Sequence, residues 1–198
     1  MSLSVRRRLA RIVAALVLSS LGLLAPLAVS ASNAPIVKVN VPAKHQVTTV
    51  QHPCADDKAR LCKLERILNV PAHIELREKT TAGVTNAHAC DGPWNLGYVS
   101  YSENDYNYYG VEVTSATVAG SPWYTGCTSG WYWVSGSCWN GPGYYCDSES
   151  HGSFWDGGLG ASTAWANVQT GCCWNLQTVW WYPRMDMYPS GYLASRSG

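Results

Sequence analysis

Residues Ser121–Cys146 read SPWYTGCTSGWYWVSGSCWNGPGYYC and combine three cysteines, four tryptophans and four tyrosines with Gly-Pro-Gly and Ser-Gly breaks. Successive side chains of a β-strand point to opposite faces, so the run Trp131–Val134 predicts a short strand with Trp131 and Trp133 on one face. The three cysteines lie on either side of this strand. We therefore expect disulfide bonds to fix the shape of this segment and the rest of the domain to pack around it.

The first 31 residues have the layout of a secretory signal peptide. Four arginines between positions 6 and 11 form a basic start, residues 12–27 are apolar, and Val29-Ser30-Ala31 supplies small residues for cleavage. The apolar run is short for a membrane-spanning helix, and Pro26 interrupts its end. We expect cleavage of residues 1–31 and a secreted, extracellular mature protein that does not bind the membrane.

The mature chain, residues 32–198, is long enough for one domain with an N-terminal segment. Without the four arginines of the signal peptide it carries 10 basic and 13 acidic side chains, a net charge near −3. A nucleic-acid-binding protein would need a basic face, so we expect no nucleic-acid partner. We divide the mature chain into residues 32–80, an extended lead-in with a helix and a short strand, and residues 81–198, a disulfide-bonded β domain rich in Trp and Tyr.

All eight cysteines follow the signal peptide, and an even number in an exported chain predicts disulfide bonds. A zinc site would need paired ligands with C-x2-C-type spacing, which the sequence lacks, so we expect no metal and no cofactor. The adjacent cysteines near the end of the chain are expected to take different partners, because a bond between neighbours closes a strained ring. The expected disulfide cysteines are Cys54, Cys62, Cys90, Cys127, Cys138, Cys146, Cys172 and Cys173.

The segment Cys54–Val70, CADDKARLCKLERILNV, predicts the N-terminal helix of the fold. Its acidic first turn would offset the positive end of the helix dipole, and its leucines recur at helical spacing. Eight helical residues span roughly 12 Å, whereas a disulfide needs Cα atoms within about 7 Å. A helix would therefore keep Cys54 and Cys62 from pairing, and we expect one of them to bond to the C-terminal domain, with Cys90 as the candidate.

The remaining elements are predicted to be strands. Alternation over Ile74–Arg77 predicts a half-exposed strand, and from Trp94 onward the pattern is that of adjacent antiparallel strands. The polar residues Glu103-Asn104-Asp105 are interpreted as a turn between two of them. The predicted fold is mainly β: a small antiparallel β-sandwich or barrel-like domain stapled by disulfides, with one N-terminal helix.

The aromatic composition carries the strongest functional signal, because 10 Trp and 12 Tyr stand against 1 Phe. Trp and Tyr carry a polar group and suit rings that lie half in water, whereas an apolar core would use Phe freely. For a ligand platform we predict Trp131 and Trp133, about 7 Å apart on one face of a strand. The second candidate group is Trp180, Trp181 and Tyr182, in which at most one tryptophan can share a side with Tyr182.

The best polar cluster is Asp147, Glu149 and His151, which alternation would place on one face of a strand. Such a set is typical of a divalent-metal site or of a carboxylate pair for glycoside hydrolysis. A polar loop beside Cys146 with a solvated acidic face is the simpler explanation. Catalytic carboxylate pairs usually come from different strands, whereas these residues share one segment. We therefore keep the three residues only as a fallback catalytic site.

These observations favour a secreted, non-catalytic module that binds an extracellular glycan or another cell-surface polymer. One alternative is a small secreted hydrolase that uses the Asp/Glu/His cluster. The other is a protein-interaction or inhibitor module whose aromatic surface meets a surface protein. The sequence contains no phosphate-binding glycine loop, dinucleotide fingerprint or H-E-x-x-H motif that would point to another class.

Overall fold

The computed structural model describes residues 36–54, 58–80, 83–86, 90, 92–172 and 177–197. These ranges contain β-strands and no α-helix, and so no helix with the length and apolar character needed to cross a membrane. The strands are β1 (Ile36–Val41), β2 (Lys44–Pro53), β3 (Leu61–Val70), β4 (His73–Thr80), β5 (Gly83–Asn86), β6 (Trp94–Asn95), β7 (Val99–Tyr106), β8 (Glu112–Tyr124), β9 (Ser129–Asn140), β10 (Tyr144–Asp156), β11 (Ala161–Cys172), β12 (Gln177–Trp181), β13 (Pro183–Met187) and β14 (Leu193–Ser197).

The strands form three antiparallel sheets. A six-stranded sheet has the order β2-β3-β7-β8-β6, with β9 also pairing with β8, and a five-stranded sheet has the order β10-β11-β13-β14, with β12 pairing with β11. A three-stranded sheet has the order β1-β4-β5. The two larger sheets share one core and form a β-sandwich, so the mainly β, antiparallel prediction is confirmed. The six-stranded sheet takes β2 and β3 from residues 32–80 and β6, β7, β8 and β9 from residues 81–198.

Small side chains dominate the interface between the two larger sheets. Ala116 and Val118 of β8 face Ala164 and Ala166 of β11, and all four are fully buried. Nearby, a Cβ added to Gly136 of β9 would lie only 2.9 Å from the Ala166 Cβ, so the two sheets are in close contact at this point. Neither sheet has room there for a large ring. None of the described tryptophans is fully buried. Trp131 and Trp181 pack against the core, and the buried aromatic side chains are those of Tyr101 and Tyr124.

The three-stranded sheet is joined to the sandwich by hydrogen bonds near the end of β8. The Tyr124 hydroxyl donates to the Ile74 carbonyl, and the Leu76 amide donates to the Ser190 carbonyl at 2.9 Å. Burial, together with the charge of Glu75, raises the pKa of Tyr124 to about 12. The phenol therefore stays protonated and keeps its donor role at physiological pH.

The helix predicted over Cys54–Val70 is wrong for residues 61–70, which form β3 between β2 and β7. The segment satisfies both patterns, because its even-numbered residues Cys62, Leu68 and Val70 also alternate to the buried side of a strand. Pairing along both edges supplies backbone hydrogen bonds and burial that outweigh a local helix preference. The predicted acidic first turn, residues 55–57, lies outside the described residues.

The disulfide pattern also differs from the expectation at the start of the domain. Cys54 pairs with Cys62 at a Cα–Cα distance of 4.9 Å, because the antiparallel pairing of β2 and β3 brings the end of one strand beside the start of the other. Cys90 pairs with Cys127 instead of with either of them. The third bridge, Cys138–Cys146, links β9 of the six-stranded sheet to β10 of the five-stranded sheet across the turn that joins them. Cys172 and Cys173 were expected to bond to two different partners, and this expectation concerns side chains outside the described ones.

The polar triplet Glu103-Asn104-Asp105 is not a turn but part of β7. The chain turns later, at residues 107–110, where the Asn107 side chain accepts hydrogen bonds from the amides of Tyr109 and Val111, each at 3.0 Å. Asparagine is well suited to such a turn because its side chain substitutes for a backbone acceptor. By contrast, the strands predicted over Ile74–Arg77 and Trp131–Val134 are confirmed as parts of β4 and β9.

The close contact between sheets gives a stability prediction. Gly136→Ala should lower the free energy of unfolding by about 1–3 kcal/mol, because the new methyl group overpacks the interface with Ala166. Gly157→Ala is the matched control: a Cβ there meets nothing within 4 Å, so the change should stay within about 0.5 kcal/mol. Urea denaturation of both variants under non-reducing conditions measures the difference. Equal effects at the two positions would contradict the tight packing.

Candidate functional site

A β-bulge in β9 separates the two tryptophans that were predicted to share a face. Trp131 lies opposite Pro122 and Trp133 lies opposite Ser121, so Tyr132 is the extra residue of the bulge. Because Ser121 and Pro122 are consecutive and point to opposite faces, Trp131 and Trp133 do so as well. Trp131 packs against the core, and its indole Nε1 donates to the Ser162 carbonyl at 3.0 Å. The prediction of one continuous strip from both rings is therefore wrong.

Trp133 instead joins a group of rings on the outer face of the six-stranded sheet. Its ring centroid lies 6.0 Å from that of Tyr98, and the two side chains are 46% and 61% exposed. Beside them, the rings of Trp123 and Tyr132 lie 6.4 Å apart. We call Tyr98, Trp123, Tyr132 and Trp133 the outer aromatic cluster. Sequence reasoning missed Tyr98 and Trp123, which lie in other elements of the chain.

Glycine sets the orientation of one ring in this cluster. Trp123 lies directly opposite Gly130 across the β8–β9 pair, and an added Cβ on Gly130 would meet the indole at Cζ2, Cε2 and Nε1. Since glycine has no side chain to hold the ring away, the indole lies against the sheet with its other face turned outward. A ring in this position offers a flat apolar surface to a ligand.

A row of small neutral side chains continues from the outer aromatic cluster along β9. Cross-strand pairing places Ser135 in register with Ala119 and Ser100, and Ser137 in register with Thr117 and Ser102. We call these six residues the polar strip; Ser137 is exposed, Ser102, Thr117 and Ser135 are half-buried, and Ser100 and Ala119 are buried. The hydroxyls of Ser102 and Thr117 are hydrogen-bonded at 2.8 Å. Trp139, six residues beyond Trp133 on the same face and therefore about 20 Å away, ends the strip.

The second predicted group is divided as strand alternation requires. The rings of Trp180 and Tyr182 stack at 6.2 Å with an interplanar angle of 12°. Trp181 points to the other side, where it packs against the core and donates its indole N–H to Thr170 Oγ1 at 2.8 Å. Whether these residues bind a ligand stays a prediction, and only Trp180 and Tyr182 have the geometry for it.

The fallback cluster lies on β10, but the strand is irregular there. The pairing with β11 shifts between Cys146 and Ser148, so Asp147 has no paired partner, while Glu149 and His151 lie opposite Val168 and Ala166. The uninterrupted alternation that would align all three residues is therefore absent. All three side chains are exposed, and the described residues contain no group of three His, Cys, Asp or Glu side chains that could hold a metal ion.

The inner face of the six-stranded sheet carries two acidic residues, Glu103 and Asp105, which the sequence analysis had assigned to a turn. Glu103 is only 1% exposed, and its carboxylate accepts a hydrogen bond from the Tyr101 hydroxyl at 3.0 Å. The same oxygen lies 3.3 Å from Arg66 Nε. Burial and the nearby carboxylate raise the pKa of Tyr101. The pairing with Arg66 and Tyr101 explains how a carboxylate can lie in the core.

Asp105, two residues along β7, lies at the rim of the sandwich. It contacts His52 through Oδ1 and Nε2 at 2.9 Å, and the two line a cavity of about 260 Å³ with Pro53, Leu64, Val179 and Trp181. Burial raises the pKa of the Asp105 carboxyl, and the contact with His52 opposes that shift. In the sequence, the alternate positions of Tyr101, Glu103 and Asp105 could have indicated one face of a strand. The three consecutive polar residues 103–105 led instead to the prediction of a turn.

Comparison of the chain with models of known protein families, with curated proteins and with solved structures finds no match. What the chain binds or does must therefore be argued from its own geometry.

The Asp105 environment gives a pH prediction. A carboxyl whose pKa is higher in the folded state than in the unfolded chain binds its proton more tightly when folded, so its ionisation costs stability. Relative to Asp105→Asn, the wild type should therefore lose stability as the pH rises from about 4, the ordinary Asp pKa, through the folded-state value. Urea denaturation of both proteins between pH 3.5 and 6.5 measures this difference. A wild type that gains stability relative to the variant over this range would show that the contact with His52, not burial, dominates.

Proposed function

We propose that this protein is a secreted, non-catalytic module that binds an uncharged extracellular polysaccharide on the outer face of its six-stranded sheet. The observation that carries the proposal is the pair Trp133 and Tyr98, two large rings 6.0 Å apart that are about half exposed at the start of a neutral polar strip. Export, extracellular location and the polysaccharide partner are all parts of this proposal.

Ring chemistry supports a sugar ligand. The C–H face of a pyranose is apolar and packs on the flat face of an indole or phenol, while the polar atom of the ring stays in water. The chain uses Trp and Tyr almost to the exclusion of Phe, and 46% of the Trp133 side chain remains exposed although the sandwich has a well-formed core. Exposing large rings costs free energy unless a ligand or partner covers them.

The polar strip supports an uncharged polymer as the ligand. Its hydroxyl groups both donate and accept hydrogen bonds, as the hydroxyls of a sugar do. None of its six residues is charged, so it offers neither the basic contacts that nucleic acid requires nor a site for an ionic ligand. With Trp133 and Trp139 about 20 Å apart, the strip suits several sugars in an extended chain better than a single monosaccharide.

Secretion is proposed on two grounds. The first 31 residues have the charge and apolar pattern of a signal peptide. The described part of the chain contains three disulfide bonds, which persist in oxidising compartments outside the cytosol. A surface protein remains the alternative partner, because exposed aromatic residues also form protein interfaces.

Trp133→Ala should weaken binding to polysaccharide about tenfold or more, because a central aromatic contact is typically worth more than 1 kcal/mol. The measurement is depletion of the oxidised protein from solution by microcrystalline cellulose, chitin, insoluble xylan and insoluble mannan. Since Trp133 is largely exposed, its replacement should leave the melting temperature nearly unchanged.

Two matched variants complete this experiment. Trp155→Ala removes a ring that is 50% exposed on β10 and should leave binding unchanged. Trp131→Ala removes a ring that packs against the core and should cost about 3 kcal/mol or more of stability. Failure of the wild type to bind any polysaccharide would contradict the proposal, and the aromatic face would then fit a protein partner better.

A further inference from the structure

The outer face of the five-stranded sheet carries its own aromatic platform. Trp180 lies opposite Gln169 of β11, is 47% exposed, and stacks with Tyr182 at an interplanar angle of 12°. The planes of the two rings are nearly parallel and their centroids lie 6.2 Å apart, so both rings can pack against one extended ligand. This pair is better aligned than Tyr98 and Trp133, whose planes differ by 38°.

Two further rings lie flat on the same face because glycine stands opposite them. Trp165 of β11 lies over Gly152 of β10, where an added Cβ would be 3.1 Å from the indole Cζ2. Tyr145 of β10 covers Gly171 of β11 so closely that a Cβ on the glycine would overlap the phenol ring. Residues 165, 169 and 171 alternate to one side of β11, which is the side of Trp180.

The side chains between these rings are neutral hydrogen-bonding groups. Asn167 and Gln169 of β11 lie on this face, in register with Ser150 of β10 and with Trp180. One charged side chain, Arg184 of β13, lies opposite Trp165 at the margin of this face. Farther along the sheet, Asp186 accepts hydrogen bonds from Thr163 and from Arg196. Between its rings the platform therefore offers neutral hydrogen-bonding groups, mainly amides, where the face of the six-stranded sheet offers hydroxyls.

The two platforms lie on opposite outer faces of the sandwich. The core separates them, so one extended sugar chain cannot occupy both faces at once. We propose that Trp180 and Tyr182 form the centre of a second binding site for the same class of uncharged polysaccharide, and that one molecule of this protein cross-links two polysaccharide chains. This inference rests on the proposed function and adds the second site and its consequence.

The test measures cross-linking apart from binding. Wild type, Trp133→Ala, Trp180→Ala and the double variant are added to soluble hydroxyethylcellulose, galactomannan and arabinoxylan, with Trp155→Ala as the control. Affinity electrophoresis measures binding, and light scattering measures aggregation of the polymer. Tyr182→Ala is a second probe of the same platform, and thermal unfolding checks that every variant is folded.

The wild type should aggregate the polymer at low ratios of protein to polymer. The effect should disappear when protein is in excess, because every polymer chain is then covered by protein molecules whose second site finds no free polymer. Trp180→Ala and Tyr182→Ala should still bind the polymer through the site on the six-stranded sheet. Their affinity should lie within about twofold of the affinity of that site alone, but neither variant should aggregate the polymer. Trp133→Ala should keep only the residual binding of the other face, about tenfold or more weaker than that of the two-site wild type, and the double variant should not bind.

Aggregation by Trp180→Ala equal to that of the wild type would overturn the second site and leave the proposed function intact. Binding that is lost in Trp180→Ala but kept in Trp133→Ala would contradict both the bivalent arrangement and the proposed site. If the wild type binds none of the polymers, the proposed function and the inference fail together.

Discussion

The close contact between the two larger sheets constrains the rest of this structure. Gly136 of β9 packs against Ala166 of β11, and alanine and valine fill the neighbouring inner positions. Where the sheets approach this closely they bury small side chains, and the indoles that pack against the core, those of Trp131 and Trp181, stay partly exposed. A chain with ten tryptophans must then place most of them at the edges and on the outer faces. The exposure of Trp133 and Trp180 follows from how the core is filled.

Local irregularities decide what the outer faces present. The bulge at Tyr132 sends Trp131 into the core and Trp133 outward, although regular alternation would have kept them together. Glycines opposite Trp123, Trp165 and Tyr145 let these rings lie against the sheets. Each platform therefore includes at least one ring whose position is fixed by the backbone opposite it, which reduces the entropy lost when a ligand binds.

The sequence allowed the fold class to be predicted, because short alternating runs and an even number of cysteines indicate a disulfide-bonded β domain. It did not reveal β3, where a leucine-rich segment fits a helix and a strand equally well and only its neighbours β2 and β7 decide. The bridge Cys54–Cys62 was missed for the same reason. The imbalance of Trp over Phe indicated exposed rings, but a bulge leaves no local signature, and partners such as Tyr98 come from distant positions in the chain.

The proposal depends most on contact between Trp133 and a sugar chain. Oxidative footprinting with mass spectrometry tests this contact by comparing the reactivity of each tryptophan in the free protein and in the protein saturated with a neutral polysaccharide. In the free protein Trp133, Trp139 and Trp155 should all react, because each is about half exposed. Polysaccharide should protect Trp133 and Trp139 and leave Trp155 reactive. Unchanged reactivity of Trp133 at saturation would contradict binding at this face.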